Sequence, residues 1–420
     1  MADASMPSQP KTCAPLEGVR VLDLTRAVTG PFCTMLLGDL GARIIKIEEP
    51  GNGDETRQWG PPFVEGESAY FLALNRNKES VVLDLKRECD LAVLRRLASE
   101  SDVVAQNFRP GVVERLGVDY ESLKNENPDL IYASISGFGL TGPDCQRPGY
   151  DLIVQAMSGM MVASGWEGMP AKACFPVADI LAGQFASQAI LAALYERERT
   201  GKGAQIEVSL LEALLFAMPS QSMGCLLTGS SPPPQGTATA MIAPYQLLEC
   251  RDAALAVAVP NERIWRRFCD ALGRPEWADE ERYRTNQRRI ENRAGLIEQI
   301  EAVMRGHSSA EWQAILGPAP SAVRAAAVNR GGLRAAANAG SRQCGHGETS
   351  GGGRFTAAPR SDTLSGSEHG IPAASGAGPT HPGGVGGNWT GAGAGSGGGR
   401  GPERGRLIVA RAGDHGPAGC

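Results

Sequence analysis

Apolar residues recur along this chain in two alternating rhythms. Short runs at 19–24, 43–48, 81–85, 102–105, 130–136 and 205–210 are dense in Val, Ile and Leu, the composition of strands buried on both faces. Between them, stretches at 31–40, 89–99 and 120–127 carry the mixed apolar and polar pattern of helices that lie on such a sheet. Strand, helix and strand repeated in this order predict an α/β fold: a doubly wound, Rossmann-like large domain with a parallel sheet. Further helices are predicted over 151–162, over 180–199, and from about 212 to 227. Thr200-Gly201-Lys202-Gly203 lacks phosphate-loop spacing and reads as the turn that ends the second of these.

The rhythm breaks at 229–236, where Pro232, Pro233 and Pro234 stop any helix, and a linker is assigned to 229–240. It separates the large domain, 16–228, from a smaller α+β domain at 241–316. Strands at 245–250 and 254–259 are expected there, followed by helices at 262–272, 287–305 and 309–316, the last with Ser309 as N-cap. The first 15 residues read as a flexible N-terminus. From 317 to 420, Gly, Ala, Ser, Pro and Arg dominate, and Lys, Tyr and Met are absent. That composition cannot bury a core and predicts disorder. A genuine extension is one account of it. The preferred one is GC-rich coding sequence read in the wrong frame, because the change falls inside a helix-then-turn pattern.

Charge and composition narrow the classes. The 420 residues are 42% hydrophobic, enough for more than one core, and carry a formal charge of −5. A nucleic-acid partner is not expected from that balance, although one local basic pocket would not show in it. The opening residues lack a signal-peptide pattern and no uninterrupted membrane span is read, so a cytoplasmic protein without a membrane partner is expected. Ten cysteines lie scattered without a Cys-x-x-Cys pair, which gives no sign of zinc, an iron–sulfur cluster or a redox motif.

All five histidines (His307, His346, His369, His381 and His415) follow position 306. Histidine-dependent triads, Cys-His pairs and His-ligated metals are therefore excluded from the first 300 residues. Chemistry there must run on carboxylates, thiols, hydroxyls or backbone amides. The cluster Gly137-Phe138-Gly139-Leu140-Thr141-Gly142-Pro143 follows a predicted strand, where open α/β sheets bind ligands, but Pro143 stands where a dinucleotide fingerprint needs a helix start. Binding loop and surface loop both remain open for it. Asn75-Arg76-Asn77-Lys78, Lys86, Asn107-Phe108-Arg109-Pro110-Gly111 and Arg115-Leu116-Gly117 place cations, amides and one aromatic ring at the ends of consecutive strands. Each alone reads as solvated loop charge. Together they suit a phosphate-rich nucleotide whose adenine stacks on Phe108.

These residues, with Leu16-Glu17-Gly18-Val19-Arg20-Val21-Leu22-Asp23, Leu37-Gly38-Asp39-Leu40-Gly41-Ala42, Ile45-Lys46-Ile47-Glu48 and Arg147-Pro148-Gly149-Tyr150-Asp151, occur in an ordered series. By that series the chain resembles the class III CoA transferases, the group of formyl-CoA and carnitine CoA transferases, from Leu16 to about Leu316. Succinate–glutarate and related dicarboxylate enzymes are its nearest flavour. The resemblance implies an interlocked homodimer, acyl-CoA and small carboxylic acids as substrates, and no permanently bound cofactor. It places the family's aspartate nucleophile at Asp179, within Phe175-Pro176-Val177-Ala178-Asp179-Ile180-Leu181-Ala182-Gly183. It carries CoA contacts to Ala27, Val28, Leu83, Lys86, Asn107, Phe108, Arg115 and Leu116. Glu49 stands where the family has a CoA-contacting arginine.

An ionised carboxylate needs no histidine to activate it, which suits this chain. It would attack a thioester to form a mixed anhydride, then an aspartyl-CoA thioester, and would need oxyanion donors, for which 228–237 is the candidate loop. By pattern alone Asp179 reads as the N-cap of the helix that follows. Asp151 is the second carboxylate, in a structural or assisting role. In the related α-methylacyl-CoA racemases a His-Asp pair occupies this point; here Tyr150 precedes Asp151, so two-base racemisation lacks its partner. A racemase or isomerase relative and an inactive CoA-binding relative are the alternatives, the second raised by the altered C-terminus.

Overall fold

The structure is a computed structural model, and it describes residues 14–317 apart from residue 65, together with the strand Arg324–Ala325. The expectations for 1–13 and for the rest of the C-terminal stretch fall outside the described residues. Strands β1 (Arg20–Asp23), β2 (Arg43–Glu48), β5 (Lys78–Val82), β6 (Val103–Gln106), β7 (Ile131–Ser136) and β8 (Ala204–Ser209) form one sheet, all neighbours parallel, in the order β5-β2-β1-β6-β7-β8. A small hairpin, β3 (Phe63–Val64) and β4 (Glu67–Ser68), lies between β2 and β5 in the chain.

Each sheet strand sends alternate residues to opposite cores, as a period of two requires. Val21, Ile44, Val103, Ile131 and Ala133 enter one core, where α1 (Thr29–Asp39), α8 (Val177–Thr200) and α9 (Leu210–Ala217) pack. Leu22, Ile45, Val104 and Tyr132 enter the other, beneath α3 (Glu88–Ser99), α4 (Val112–Leu116) and α5 (Tyr120–Leu123). Helices α2 (Ala69–Asn75), α6 (Asp151–Met157), α7 (Met160–Ser164) and α10 (Pro219–Thr228) complete this region. The doubly wound α/β reading therefore holds.

A second core surrounds an antiparallel sheet of β9 (Tyr245–Glu249), β10 (Ala254–Ala258) and β11 (Arg324–Ala325), with α11 (Glu262–Ala271), α12 (Asn286–Glu291), α13 (Arg293–Met304) and α14 (Ser309–Leu316). In α11, Ile264, Trp265, Phe268 and Cys269 form one buried face among charged neighbours. Arg289 is fully buried there beneath the Trp265 ring and donates to the Ala243 carbonyl at 2.7 Å.

Several elements differ from the sequence reading for local reasons. The helix expected over 151–162 breaks at Gly159, whose φ of 78° is open to glycine. The one expected over 212–227 bends by 91° ahead of Pro219, which has no N–H to continue it. Ser308, not Ser309, caps α14, in a reciprocal capping box with Glu311. Strand β5 ends at Val82, and the chain turns at once through Asp84 to Arg87. The 229–240 segment is not a free tether, since Gln235 and Gly236 donate to the carbonyls of Ala163 and Gly165. Where no membrane-length span was expected, α8 is long and apolar enough by length and composition to cross one; eight of its residues nonetheless are buried in the fold.

Helix α8 owes its position to small residues. Ala178, Ala182, Ala186 and Gly183 are buried, and a methyl on Gly183 would lie 2.6 Å from the Thr29 carbonyl and 3.1 Å from the Phe32 ring. Only hydrogen at that point lets α8 lie against the first turn of α1.

Buried charge fixes the turn between β1 and α1. Asp23 accepts from Lys78 Nζ at 3.0 Å, from Thr34 Oγ1 at 2.7 Å and from the Thr25 N–H at 2.9 Å. Lys46 donates to the Thr25 carbonyl at 2.8 Å and stands 2.9 Å from Asp54 Oδ2, off its hydrogen-bonding direction, so that pairing is Coulombic. All four ionic side chains are essentially inaccessible to solvent. Nearby, Arg57 grips both oxygens of Glu48 at 2.7 and 2.8 Å, and the Ser80 hydroxyl and Asp54 N–H add two further donors. Burial pushes the Glu48 carboxyl up, but these donors outweigh it and hold it at about 2, below its ordinary 4.5.

A carboxyl lowered by folding stabilises the fold above its unfolded pKa and loses that contribution as pH falls through the folded value. The stability of the protein is therefore expected to drop between about pH 4.5 and pH 2. Urea titrations across that window should show a shallower pH dependence for Glu48→Gln than for wild type, and identical slopes would contradict the assignment.

Candidate active site

The carboxyl ends of the parallel strands form one edge, and the chain reverses its direction of travel across the sheet between β1 and β6. Such a switch point opens a crevice for ligands. Here it is bridged by Asn107, which accepts from the Arg26 N–H at 2.9 Å and donates to the Arg26 carbonyl at 2.8 Å. The turn it clamps includes Ala27, the one non-glycine with positive φ (63°) among the described residues, and Val28, the buried N-cap of α1. The Ala27 N–H points toward Asp54 Oδ1 at 3.4 Å.

Phe108 follows Asn107, with its N–H held by the buried Gln106 side chain at 2.8 Å, which in turn donates to Ser134 on β7 at 2.9 Å. The Arg26 guanidinium lies 5.0 Å above the Phe108 ring. Leu83 is buried just past β5, its N–H on the Glu48 carbonyl, and the exposed Lys86 lies in the turn that follows. Leu116 packs on the same core as Phe108, and Arg115 is exposed beside it on α4. All eight positions carried over as CoA contacts therefore follow the carboxyl ends of β1, β5 and β6. Among the described residues, none of Arg26, Lys86, Arg109 and Arg115 has an ion-pair partner. Glu49 lines a cavity of about 200 Å³ with Gly51, Asn52, Gly53 and Val82 near the same edge, where it adds negative charge.

Asp179 is the third residue of α8 and does not cap it. The capping acceptor comes from elsewhere: Asp151 Oδ1, at the start of α6, takes the Ala178 N–H at 2.8 Å. Its other oxygen accepts from the buried Gln155 amide at 2.6 Å, and Gln155 also accepts the Ala173 N–H at 2.8 Å. Asp151 and Gln155 thus tie α6 to the segment leading into α8, the structural role the sequence suggested for Asp151. The glycine cluster serves this arrangement too. A methyl on Gly137 would sit 2.4 Å from the Gly149 backbone, so this close packing sets the approach of the chain to Tyr150 and Asp151.

With Asp151 committed to the cap, Asp179 is free to turn toward α1, where Thr29 Oγ1 donates to its Oδ1. Burial pushes the Asp179 carboxyl up, the Thr29 hydroxyl pulls it down, and the charge of Asp151 pushes it up again, to a net value of about 6. Tyr70, on α2, is a further neighbour, since burial and the charges of Asp179 and Asp151 raise its phenol. Its ring packs 5.5 Å from that of Trp59. Thr29, Tyr70 and Gln155 were not among the residues singled out from sequence. The 228–237 loop, considered there as a source of oxyanion donors, makes no hydrogen bond to Asp179 among the described residues; a side chain at Gly236 would collide with the Trp166 indole instead. His307, the one histidine among the described residues, packs edge-on against Trp312 in the second core.

A partly buried carboxylate with raised basicity, joined through Thr29 to the turn that carries Arg26, has the chemistry of a nucleophile toward a thioester. Comparison with known proteins identifies the family. The family described as CoA-transferase family III matches residues 16–338. An acetyl-CoA:oxalate CoA-transferase of Acetobacter aceti is 43% identical over 308 residues, covering 73% of this chain and 78% of that protein. A succinyl-CoA:glutarate CoA-transferase of Mus musculus is 42% identical over 299 residues, covering 71% and 69%. Among solved structures, a CAIB/BAIF family protein from Brucella suis superposes with a TM-score of 0.69 at 39% identity, covering 78% of this chain and 86% of that one. The match takes in both cores and the whole sheet edge just described, and on that basis the chain belongs to CoA-transferase family III and is a CoA transferase.

Proposed function

We propose that this protein transfers CoA from succinyl-CoA, or a similar short dicarboxylyl-CoA, to a free carboxylic acid through covalent intermediates on Asp179. The observation that carries the reading is Asp179 itself: partly buried, bonded to Thr29, and raised to about 6, so that it is mostly ionised at neutral pH yet more basic than a surface aspartate. Its carboxylate attacks the thioester carbonyl and expels CoA thiolate, leaving a mixed anhydride. The thiolate then attacks the aspartyl carbon, releasing the donor acid and forming an aspartyl-CoA thioester. The acceptor carboxylate reverses both steps, and no proton is gained or lost overall. Arg26, Lys86, Arg109 and Arg115 supply unpaired positive charge for the CoA phosphates, and Phe108 a face for adenine. Relatives that bear the names of succinyl-CoA, glutarate and oxalate support the dicarboxylate class.

Asp179→Asn is expected to abolish acyl exchange while CoA binding by calorimetry stays near the wild-type value; an active variant would remove Asp179 from the mechanism. In the wild type, kcat/KM should fall tenfold per pH unit below about pH 6 as Asp179 protonates, and a flat profile down to pH 5 would contradict an Asp179 raised to that value.

Steady-state rates across a panel of acyl-CoA donors should rank succinyl-CoA or another dicarboxylyl-CoA first. Much faster turnover of formyl-CoA or a branched-chain acyl-CoA would overturn the substrate class.

The proposed working form is a homodimer. Helix α10 buries none of its residues, and Phe216, Leu226 and Leu227 are each at least 70% exposed, an apolar face that a second copy would cover. Sedimentation at micromolar concentration should give a dimer, and a persistent monomer would contradict it.

A further inference from the structure

Thr29 bonds one particular oxygen of Asp179, and that choice has chemical content. Oδ1 accepts the Thr29 hydroxyl, while no donor among the described residues reaches Oδ2. Thr29 is itself fixed. It is 4% exposed, opens α1, and has its carbonyl pressed against Gly183 one helical turn beyond Asp179. Asp151, the other carboxylate nearby, has both oxygens committed as acceptors, one to the Ala178 N–H and one to the Gln155 amide.

The geometry points to Thr29 as a catalytic residue: its hydroxyl is the oxyanion donor for every step that takes place at the Asp179 carboxyl carbon. The inference rests on the proposed nucleophilic role of Asp179 and deepens it. In the first step the unbonded Oδ2 attacks the thioester carbonyl, a bond forms from Oδ2 to the acyl carbon, and the C–S bond breaks to give CoA thiolate. In the second, the thiolate attacks Cγ of Asp179. The electron pair of the Cγ=Oδ1 bond moves onto Oδ1, where the Thr29 hydroxyl already donates; as it returns, the Cγ–Oδ2 bond breaks and the donor acid leaves with Oδ2. The acceptor carboxylate then attacks Cγ, again placing charge on Oδ1, and expels the thiolate. Finally the thiolate attacks the acyl carbon and regenerates the aspartate, whose Oδ2 now derives from the acceptor. Thr29 thus faces the oxygen that stays with the protein throughout. The first and last steps develop their negative charge on the substrate carbonyl, out of its reach.

Thr29→Val keeps the shape and removes the donor; Thr29→Ser keeps the donor. With succinyl-CoA alone and no acceptor, rapid-quench mass spectrometry reads how fast CoA becomes attached to the protein. Loss of one oxyanion donor slows such a step by about 10²-fold or more, so Thr29→Val should form the adduct about 10²-fold more slowly, with an unchanged Kd for CoA. Thr29→Ser should stay close to wild type. The acid limb of the Thr29→Val profile should also move to higher pH, because the hydroxyl stabilises the ionised carboxylate. Adduct formation at the wild-type rate in Thr29→Val overturns the role of Thr29, as does equal loss in the Val and Ser variants. Failure of the wild type to form any adduct with any donor it turns over would instead remove the covalent role of Asp179, and the inference with it.

Discussion

Two buried lysines hold the turn between β1 and α1, and the chemistry of the molecule is arranged around that turn. Lys78 of β5 on Asp23 and Lys46 of β2 on the Thr25 carbonyl and Asp54 lock its start. Asn107 clamps its middle from the neighbouring strand. Taking such charges out of water costs several kcal/mol per ion unless each is well paired, so an isolated loss on either side would leave an uncompensated buried charge. Once fixed, the turn presents Arg26 over Phe108 on one side and Thr29 to Asp179 on the other. A single short segment thereby joins the edge assigned to the nucleotide with the carboxylate assigned to the acyl group.

The electrostatics of Asp179 reflect a compromise. Burial and Asp151 make it more basic than a free aspartate, which suits the nucleophilic role proposed for it, and Thr29 limits the rise so that it remains mostly ionised near neutral pH. Asp151 contributes charge without competing for the acyl group, because capping the N-terminus of α8 uses one oxygen and Gln155 the other. A carboxylate near the positive end of a helix dipole is stabilised there, which adds to the cap.

The parts of this arrangement differ in how far they show in the sequence. The inner strands were legible because they are buried on both faces and so appear as short segments dense in apolar residues. Strand β5 was placed three residues late because it is the edge strand, largely exposed and rich in polar residues. The breaks at Gly159 and before Pro219 are local and could have been anticipated from residue type. Asp179 was singled out through a family motif, since its pattern alone suggested a cap that Asp151 supplies instead. Thr29 left no mark at all: its partner lies 150 residues away, and only the packing of α8 on α1 at Gly183 brings the two together.

Transfer through Asp179 requires that an acyl-CoA leave CoA covalently on that side chain. Incubating the protein with succinyl-CoA in the absence of acceptor, quenching in acid, digesting, and sequencing the peptides by mass spectrometry reads this directly. A CoA-sized adduct confined to the Asp179 side chain and absent from Asp179→Asn is expected. An adduct on another residue, or turnover that proceeds with Asp179 unmodified and with its Asn variant active, would contradict it.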